Sequence, residues 1–454
     1  MHKYAVFSLT LNISINKIIF IMLNPLAQEL NDTLRGTVAG ELLSDLGTRI
    51  FFPRGIISQG GEAKQFGKVA NATIGTTMIE GKPAALPSVK KFAPELTNAE
   101  LVSYTPTAGN PDLRKKWKEL MLKKNPGLAG KATSNPVVVP GLTAGISYLS
   151  DLFVDTNHPL LAANPSWDNY SLVVETRRGA ELHTFNMFRP SDDNNGGFDI
   201  DSFKKAMEEE AKSGSVRVLL NFPQNPSGYS PTNAEAKEIV QVVKELAEKG
   251  TKIIVWDDDA YFGLNYEEDI YPQSLFAEFA DLHENVLAVK VDGPTKEDFV
   301  WGFRCGFLTF AGKGISDEQY LALEKKLMGL IRSSVSCSSS PSQSISLKAF
   351  SEPKIEEEKK AFRDMLCARY KKVRAFVDTH KSSVLEALPF NSGYFMSFHT
   401  ECNAEELRLK ILHEKQIGTI SIDESTLRVA FSSVDESKID QVYSAIYAAA
   451  EEMK

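Results

Sequence analysis

The sequence is poor in cysteine and histidine, carries no excess of positive charge and has no long hydrophobic run. Its seven histidines and four cysteines show none of the short spacings of metal sites, so we expect no metal. Lys and Arg total 51 against 59 Asp and Glu, a net charge of −8, which argues against nucleic acid as a partner. No apolar run reaches the ~20 residues of a membrane span, so we expect no membrane association. The cysteines are Cys305, Cys337, Cys367 and Cys402.

Four segments are expected along the 454 residues. Scattered cysteines in a chain that is 43% apolar and 24% charged fit reduced thiols in a globular cytoplasmic protein. Polar residues interrupt the apolar start and no cleavage site follows, which predicts an N-terminal extension with Met22 as an alternative start. The expected segments are this extension (1–22), an N-terminal arm with part of a small domain (23–94), a large domain (95–315) and a small C-terminal domain (316–454).

Seven short, mostly β-branched apolar segments alternate with amphipathic helical segments such as Asn233–Lys249. Segments that are apolar on both faces are typical of buried strands in a largely parallel sheet. The pattern predicts an α/β fold with a mostly parallel seven-stranded sheet between helices. Long helices over about 317–332 and 351–380, then strands and a last helix, predict a smaller α+β domain. The seven segments are 137–139, 160–162, 182–185, 216–220, 253–256, 286–289 and 307–310.

Polar and aromatic residues follow these strands at the edge where α/β folds bind ligands. Gly141-Leu142-Thr143, at a strand-to-helix turn, offers backbone N–H groups and a hydroxyl to an anion. The three acids at 257–259 leave an apolar strand and require a positive partner. The later strand ends carry, in order, Trp167, Asn225, Asp258, Tyr261 and Lys296, and Arg304 opens the last strand.

This order of motifs is the basis of a family resemblance. The motifs are Asn225-Pro226-Ser227-Gly228, Asp258-Asp259-Ala260-Tyr261, Lys296 with Arg304 eight residues later, and Arg428-Val429-Ala430-Phe431, with Gly81–Pro87 and Tyr104–Gly109 upstream. From about Ile74 to Phe431 the chain resembles the class I, aspartate-aminotransferase-like aminotransferases. The resemblance implies PLP fold type I, pyridoxal 5′-phosphate (PLP) as cofactor, and transamination between an L-amino acid and a 2-oxo acid.

The resemblance also implies roles in cofactor binding. Lys296 would be the catalytic lysine, which binds PLP covalently and moves the substrate proton. Asp258 would pair with the pyridine nitrogen, and Trp167 would stack on the ring. The phenolic oxygen would meet Asn225 and Tyr261. The phosphate would meet Gly141, Leu142, Thr143, Arg304 and, from the partner subunit of a homodimer, Tyr104. The family commonly has Ser at the position of Gly293, so Thr295 is expected to supply that hydroxyl.

For the substrate, the resemblance implies a carboxylate clamp. Arg428 would bind the α-carboxylate as a bidentate fork. Gly75, Trp167 and Asn225 would lie beside it. Arg332, reaching across from the neighbouring subunit, is the candidate for binding a side-chain carboxylate, although a helix-terminal Arg is also favoured by the helix dipole alone. These residues favour aspartate or an aromatic amino acid as donor and 2-oxoglutarate as acceptor.

Two other functions remain open from the sequence. A PLP-dependent β-lyase could use the same fold and the same lysine. A non-catalytic effector-binding module could also use the fold, but no helix-turn-helix segment precedes the motifs and the charge is wrong for DNA. Release of ammonia or sulfide would distinguish a lyase from a transaminase, and a binding module would show no turnover.

Overall fold

The structure is a computed structural model that describes residues 23–35, 43, 48–49, 56–73, 75–190 and 196–454. The chain divides into two units, Met1–Phe52 and Pro53–Lys454. In the first unit, helix α1 (Pro25–Leu34) is capped by the preceding residue, Asn24, whose side chain accepts the N–H of Leu26 at 2.9 Å. The predicted extension, residues 1–22, lies outside the described residues. The boundaries at residues 95 and 315 stay a prediction.

A seven-stranded sheet forms the centre of the second unit. Its strands are β1 (Val137–Val139), β2 (Leu160–Asn164), β3 (Leu182–Asn186), β4 (Ser215–Asn221), β5 (Lys252–Asp258), β6 (Val286–Asp292) and β7 (Gly306–Gly312). Their spatial order is β1-β7-β6-β5-β4-β2-β3. Strand β7 runs antiparallel to both of its neighbours, and the other pairs are parallel. The mostly parallel seven-stranded sheet is therefore confirmed, and each predicted apolar segment lies in one of its strands.

Helices cover both faces of this sheet, where two apolar clusters pack. Helix α9 (Asn233–Glu248) begins with a capping box in which Thr232 and Glu235 exchange hydrogen bonds, and it buries Ile239, Val243 and Leu246. The remaining helices up to the end of the sheet are α2 (Ile56–Phe66), α3 (Pro87–Phe92), α4 (Asn98–Val102), α5 (Pro111–Lys124), α6 (Leu142–Phe153), α7 (Asn169–Ser171), α8 (Ile200–Ala211), α10 (Phe276–Phe279) and α11 (Pro294–Glu297).

A four-stranded sheet follows in the C-terminal part, with its own apolar cluster. Its strands are β8 (Leu385–Ala387), β9 (Met396–Thr400), β10 (Ile420–Ser421) and β11 (Thr426–Val429), in the order β8-β9-β11-β10. Segment Ala70–Asn71 pairs in parallel with Ile417–Gly418, so an N-terminal segment packs on this part. The helices here are α12 (Asp317–Ser334), α13 (Ser340–Phe350), α14 (Ile355–Thr379), α15 (Ala404–Lys415) and α16 (Ile439–Glu451).

Helix α13 was not predicted, because its sequence reads as a Ser-rich stretch. Serine is a weak helix former, so local propensity disfavours the helix. The side chain of Gln343 fixes its first turn by donating to the carbonyls of Ser338 and Ser339, at 3.1 Å each. Burial of Ile345 and Phe350 then overrides the weak propensity.

Every helix in the described part of the chain is too short or too polar to span a membrane.

Gly228 provides a test of how the two sheets approach each other. Its φ is +76°, and an added Cβ would lie 1.9 Å from the carbonyl oxygen of Phe395. Gly250 has a φ of +96° but nothing within 4 Å of an added Cβ. We expect Gly250→Ala to lower the free energy of unfolding by about 1–2 kcal/mol through backbone strain alone. Gly228→Ala should cost clearly more, since backbone must move as well. Urea unfolding of both variants measures the difference, and equal losses would contradict the close contact.

Candidate active site

A cleft of about 210 Å³ opens at the carboxyl ends of strands β4 and β5. Most residues that the sequence analysis singled out line it: Gly75, Leu142, Thr143, Trp167, Asn225, Asp258, Tyr261, Lys296 and Arg428. It is also lined by Tyr170, Asn221, Ala260 and Phe395. The residues come from both the seven-stranded and the four-stranded sheet, so the fold brings distant parts of the sequence to one place.

Asp258, the last residue of β5, is a buried carboxylate held by neutral donors. The hydroxyl of Tyr170 donates to its Oδ2 at 2.6 Å, and the N–H of Ala260 donates to its Oδ1 at 3.2 Å. Burial raises the pKa of Asp258, while Tyr170 and Lys296 oppose that increase. Asp257 and Asp259 line a separate cavity with Phe262, as alternation along a strand predicts. The site therefore presents one carboxylate that can receive a cationic partner.

Lys296 lies on the single turn α11, directly after β6. Its Nζ is 4.8 Å from the centre of the Tyr261 ring, and its backbone carbonyl accepts the hydroxyl of Tyr394 at 2.9 Å. Burial lowers the pKa of Lys296 to about 8; Asp258 opposes this decrease and Arg304 adds to it. A lysine with this pKa is unprotonated in a far larger share of molecules near neutral pH than an ordinary lysine, whose pKa is ~10.4, so it can accept a proton or act as a nucleophile.

An anion-binding cradle lies where α6 begins. Gly141 has a φ of +91°, and an added Cβ would lie 2.5 Å from a terminal nitrogen of Arg304. The positive φ favours glycine here, and the absence of a side chain leaves room for the guanidinium beside the backbone. Leu142 and Thr143, the first two residues of α6, line the cleft. A cation beside a helix start is suited to a phosphate group.

Arg428, on β11, brings a second cation into the cleft. Its guanidinium donates to Oδ1 of Asn225 at 2.8 Å and to the carbonyl of Thr73 at 3.0 Å, and it lies 4.3 Å from the centre of the Phe395 ring. Its Nε has no partner among the described residues. Burial lowers its pKa to about 10, so Arg428 is still charged at neutral pH. Among the described residues no carboxylate forms an ion pair with this guanidinium, although Asp168 acts on it electrostatically, and the unpartnered Nε is available to a ligand anion.

Gly75 lies where the cleft has little room for a side chain. An added Cβ would lie 3.0 Å from Cζ of Phe395 and 3.6 Å from the hydroxyl oxygen of Tyr261. A side chain at this position would therefore press on two residues of the cleft. Its neighbour Ile74 lies outside the described residues.

Five predicted residues do not line the cleft of their own chain: Gly141 and Arg304, which meet where α6 begins, and Thr295, Tyr104 and Arg332. The hydroxyl of Thr295 donates to the carbonyl of Cys305 at 3.4 Å. At Gly293 an added Cβ would lie 3.0 Å from the same carbonyl oxygen, which explains glycine there. Tyr104 is 91% exposed. Arg332 is exposed on the last turn of α12, where it donates to the hydroxyl of Ser336. Their proposed roles stay predictions.

Sequence reasoning missed the residues that support the predicted ones. Tyr170 follows Trp167 by three residues, about one turn, and this spacing was a signal that could have been used. Asn221 donates to the backbone carbonyl of Asp258 at 2.7 Å and accepts the N–H of Asn225 at 2.9 Å. Phe395 is far along the chain and gave no local signal, because its position depends on the approach of the two sheets. No metal-binding cluster of His, Cys, Asp or Glu occurs in the part of the chain that the structure describes.

Comparison with known proteins identifies the family. The family described as aminotransferase class I and II matches residues 74–446, most of the chain. The chain belongs to this family. The aminotransferase resemblance, the α/β fold of PLP fold type I and the predicted cofactor, pyridoxal 5′-phosphate, are thereby confirmed.

Individual relatives are distant in sequence. The chain is 24% identical over 261 residues to a probable N-acetyl-LL-diaminopimelate aminotransferase of Bacillus subtilis, covering 58% of each chain. It is 22% identical over 337 residues to an aspartate aminotransferase of Sulfurisphaera tokodaii, covering 73% of this chain and 77% of the relative.

Solved structures show the same fold. An aminotransferase of Anaerococcus prevotii has a TM-score of 0.79 and 25% identity, covering 90% of this chain and 99% of its own. A kynurenine aminotransferase of Pyrococcus horikoshii, in complex with PMP, has a TM-score of 0.73 at 15% identity, covering 92% of this chain and 98% of its own.

The reactivity of Lys296 tests the electrostatics of the site. In cofactor-free protein we expect its amine to be acylated with a midpoint near pH 8. Asp258→Asn should move the midpoint lower, since the carboxylate stabilises the ammonium form. Arg304→Met should move it higher, since the guanidinium destabilises that form. Mass spectrometry of the peptide across a pH series measures all three. A wild-type midpoint near the ~10.4 of an ordinary lysine would contradict the burial argument.

Proposed function

We propose that this aminotransferase transfers an amino group between an L-amino acid and a 2-oxo acid with PLP. The observation that carries the proposal is the convergence of Lys296, Asp258 and Arg428 on one cleft. A lysine of lowered pKa, a buried carboxylate and a cation without a carboxylate partner are the three groups that this chemistry requires.

The residues present fit the cofactor. The Gly141–Arg304 cradle suits its phosphate, and Asp258 suits a protonated pyridine nitrogen, which it would hold in that state. Asn225 and Tyr261 would bind the phenolic oxygen, and Trp167 would lie against the ring. When bound, PLP supplies an electron sink for the electrons released at the substrate Cα.

The chain's own residues then bind the substrate and move its proton. Arg428 would hold the α-carboxylate through its unpartnered Nε side, with Phe395 against the guanidinium face. Asn225 already bonds Arg428 and so fixes its orientation. Lys296, unprotonated in part at neutral pH, would take the proton from Cα of the substrate. It would then donate a proton to the cofactor carbon that carries the new amine. The apolar side chains of Trp167, Ala260 and Phe395 line the cleft and would limit the access of water to these groups.

We further propose a dicarboxylic acceptor, 2-oxoglutarate, with aspartate or an aromatic amino acid as donor. Support comes from relatives named aspartate aminotransferase and from Arg332 as a candidate clamp for a second carboxylate. Arg332 is exposed on its own subunit, as a residue that serves a partner's site would be.

A homodimer with shared sites belongs to the same proposal. Tyr104 is 91% exposed beside Val102, at 77%, and Leu101, at 50%. Exposed apolar residues in a group are typical of an interface. We also propose a cytoplasmic location, which the four unpaired cysteines support.

The decisive experiment fixes the cofactor and then follows turnover. Borohydride reduction of the yellow protein should attach the cofactor covalently to the peptide that contains Lys296. A panel of amino acids should then convert the bound PLP to its amine form, and a 2-oxo acid should reverse the change. Lys296→Ala should lose roughly 10²–10⁴-fold or more in rate. Label on another lysine would refute the site, release of ammonia or sulfide would indicate a lyase, and spectral shifts without turnover a binding module.

Substitution of Arg332 tests the substrate class and the dimer together. Arg332→Ala should lower kcat/KM for aspartate roughly a hundredfold and for phenylalanine far less. Lys326→Ala, which removes an exposed cation of the same helix, should change neither. Mixing the Arg332→Ala and Lys296→Ala chains should restore aspartate activity, because the hybrid holds one site with both residues intact. Absence of recovery with verified hybrids would place Arg332 outside the partner's site.

A further inference from the structure

The two residues after Lys296, Glu297 and Asp298, are buried acids that do not line the cleft. Glu297 accepts Nζ of Lys124, on α5, at 2.6 Å and Nζ of Lys359, on α14, at 3.1 Å. Asp298 lies 2.8 Å from Nζ of Lys359. Burial raises the pKa of Asp298, and the Lys359 ammonium opposes that increase. We call these four residues the lysine-turn cluster.

Lys359 is the central member of the lysine-turn cluster. Its side chain is 4% exposed, and its Nζ donates a hydrogen bond to Glu297 and forms an ion pair with Asp298. Burial lowers its pKa, but Asp298 and Glu297 more than offset this and hold it charged. Burial likewise raises the pKa of Glu297, but Lys124 and Lys359 bring it to about 2. A buried pair of this kind is weak support for stability, because desolvation offsets most of the attraction. It does, however, fix geometry.

The turn that carries Lys296 needs such support. Helix α11 has four residues, and a single turn does not hold its own shape in isolation. It is held from the C-terminal part of the chain at two points: the hydroxyl of Tyr394 donates to the carbonyl of Lys296, and Lys359 forms ion pairs with the two acids that follow. Neither Tyr394 nor Lys359 lines the cleft.

We propose that Lys359, acting through Glu297 and Asp298, is a positioning residue that sets the direction of the Lys296 side chain. The inference rests on the proposed function of Lys296. Loss of the Lys359 ammonium would leave Asp298 without its cation and free the turn to shift. Arg428 and the Gly141–Arg304 cradle lie on other elements, so binding of substrate and cofactor would be retained while proton transfer slowed.

The test compares Lys359→Met with two matched variants. Lys359→Arg keeps the charge, and Lys360→Met removes the next lysine of the same helix, which pairs at the surface with Asp364 at 2.6 Å. A fourth variant, Lys359→Met with Asp298→Asn, removes one cation and one anion and leaves the Lys124–Glu297 pair intact. It remains informative if the single variant does not fold. The measurements are kcat, KM, the isotope effect with the Cα-deuterated preferred donor, and visible circular dichroism of the bound cofactor.

For Lys359→Met we expect kcat to fall about 10- to 100-fold with KM within about threefold of wild type. The isotope effect should rise, because proton transfer becomes slower than the other steps, and the circular dichroism band should change in amplitude. The double variant should behave alike, Lys359→Arg should recover most of the rate, and Lys360→Met should match wild type.

Two results would overturn the inference: variants of Lys359 that match Lys360→Met, or a loss of activity with unchanged isotope effect and circular dichroism. Borohydride labelling of the wild-type protein separates this failure from a failure of the proposed function. If Lys296 carries the label while the Lys359 variants are normal, the function stands and the positioning role falls. If Lys296 carries no label, the proposed function is refuted, and the positioning role that rests on it is refuted as well.

Discussion

Buried charge is the constraint on which the arrangement of this protein depends. Ionised groups taken out of water must meet an opposite charge or a hydrogen-bond donor. Outside the cleft, the ammonium of buried Lys290 donates to Asp259 and lies 3.6 Å from Asp292. Asp292 also accepts the indole N–H of Trp117 at 3.0 Å. Each of these groups is compensated by the protein itself. At the cleft, compensation by opposite charge is incomplete for Asp258 and Arg428, neither of which forms an ion pair with another described residue.

These two incompletely compensated groups differ in sign and come from different sheets. Asp258 ends a strand of the seven-stranded sheet, and Arg428 lies on the four-stranded sheet. Two residues link the sheets. Asn225 accepts a hydrogen bond from Arg428, and Gly228 lets the backbone of Phe395 pack against its own backbone. A ligand with a cationic nitrogen at one end and a carboxylate at the other would complete both. The site is therefore built by tertiary approach and not by a single loop.

The sequence allowed the seven strands, their alternation with helices and most of the cleft residues to be predicted. Strand ends converge on one edge in any such sheet, so residues such as Asp258 and Lys296 could be placed from local pattern and motif order. Helix α13 could not, because burial and the Gln343 bonds outweigh weak propensity. Phe395 and Lys359 could not either, because their relation to the site exists only after distant segments pack. The position of Thr295 depended on backbone direction within one turn, which residue type does not specify.

Strand β7 has one further consequence. Because it runs against its neighbours, its first residue, and not its last, lies beside the ends of β1 and β6, with Gly306 opposite Val139 and Phe307 opposite Asp292. The chain can thus leave β6, place Lys296, and return as β7 with Arg304 at the same edge, without crossing the sheet through a long helix. Lysine and arginine share one short connection whose two ends are both fixed by strand pairing. The separation of Lys296 and Arg304 is therefore constrained at both ends by sheet register.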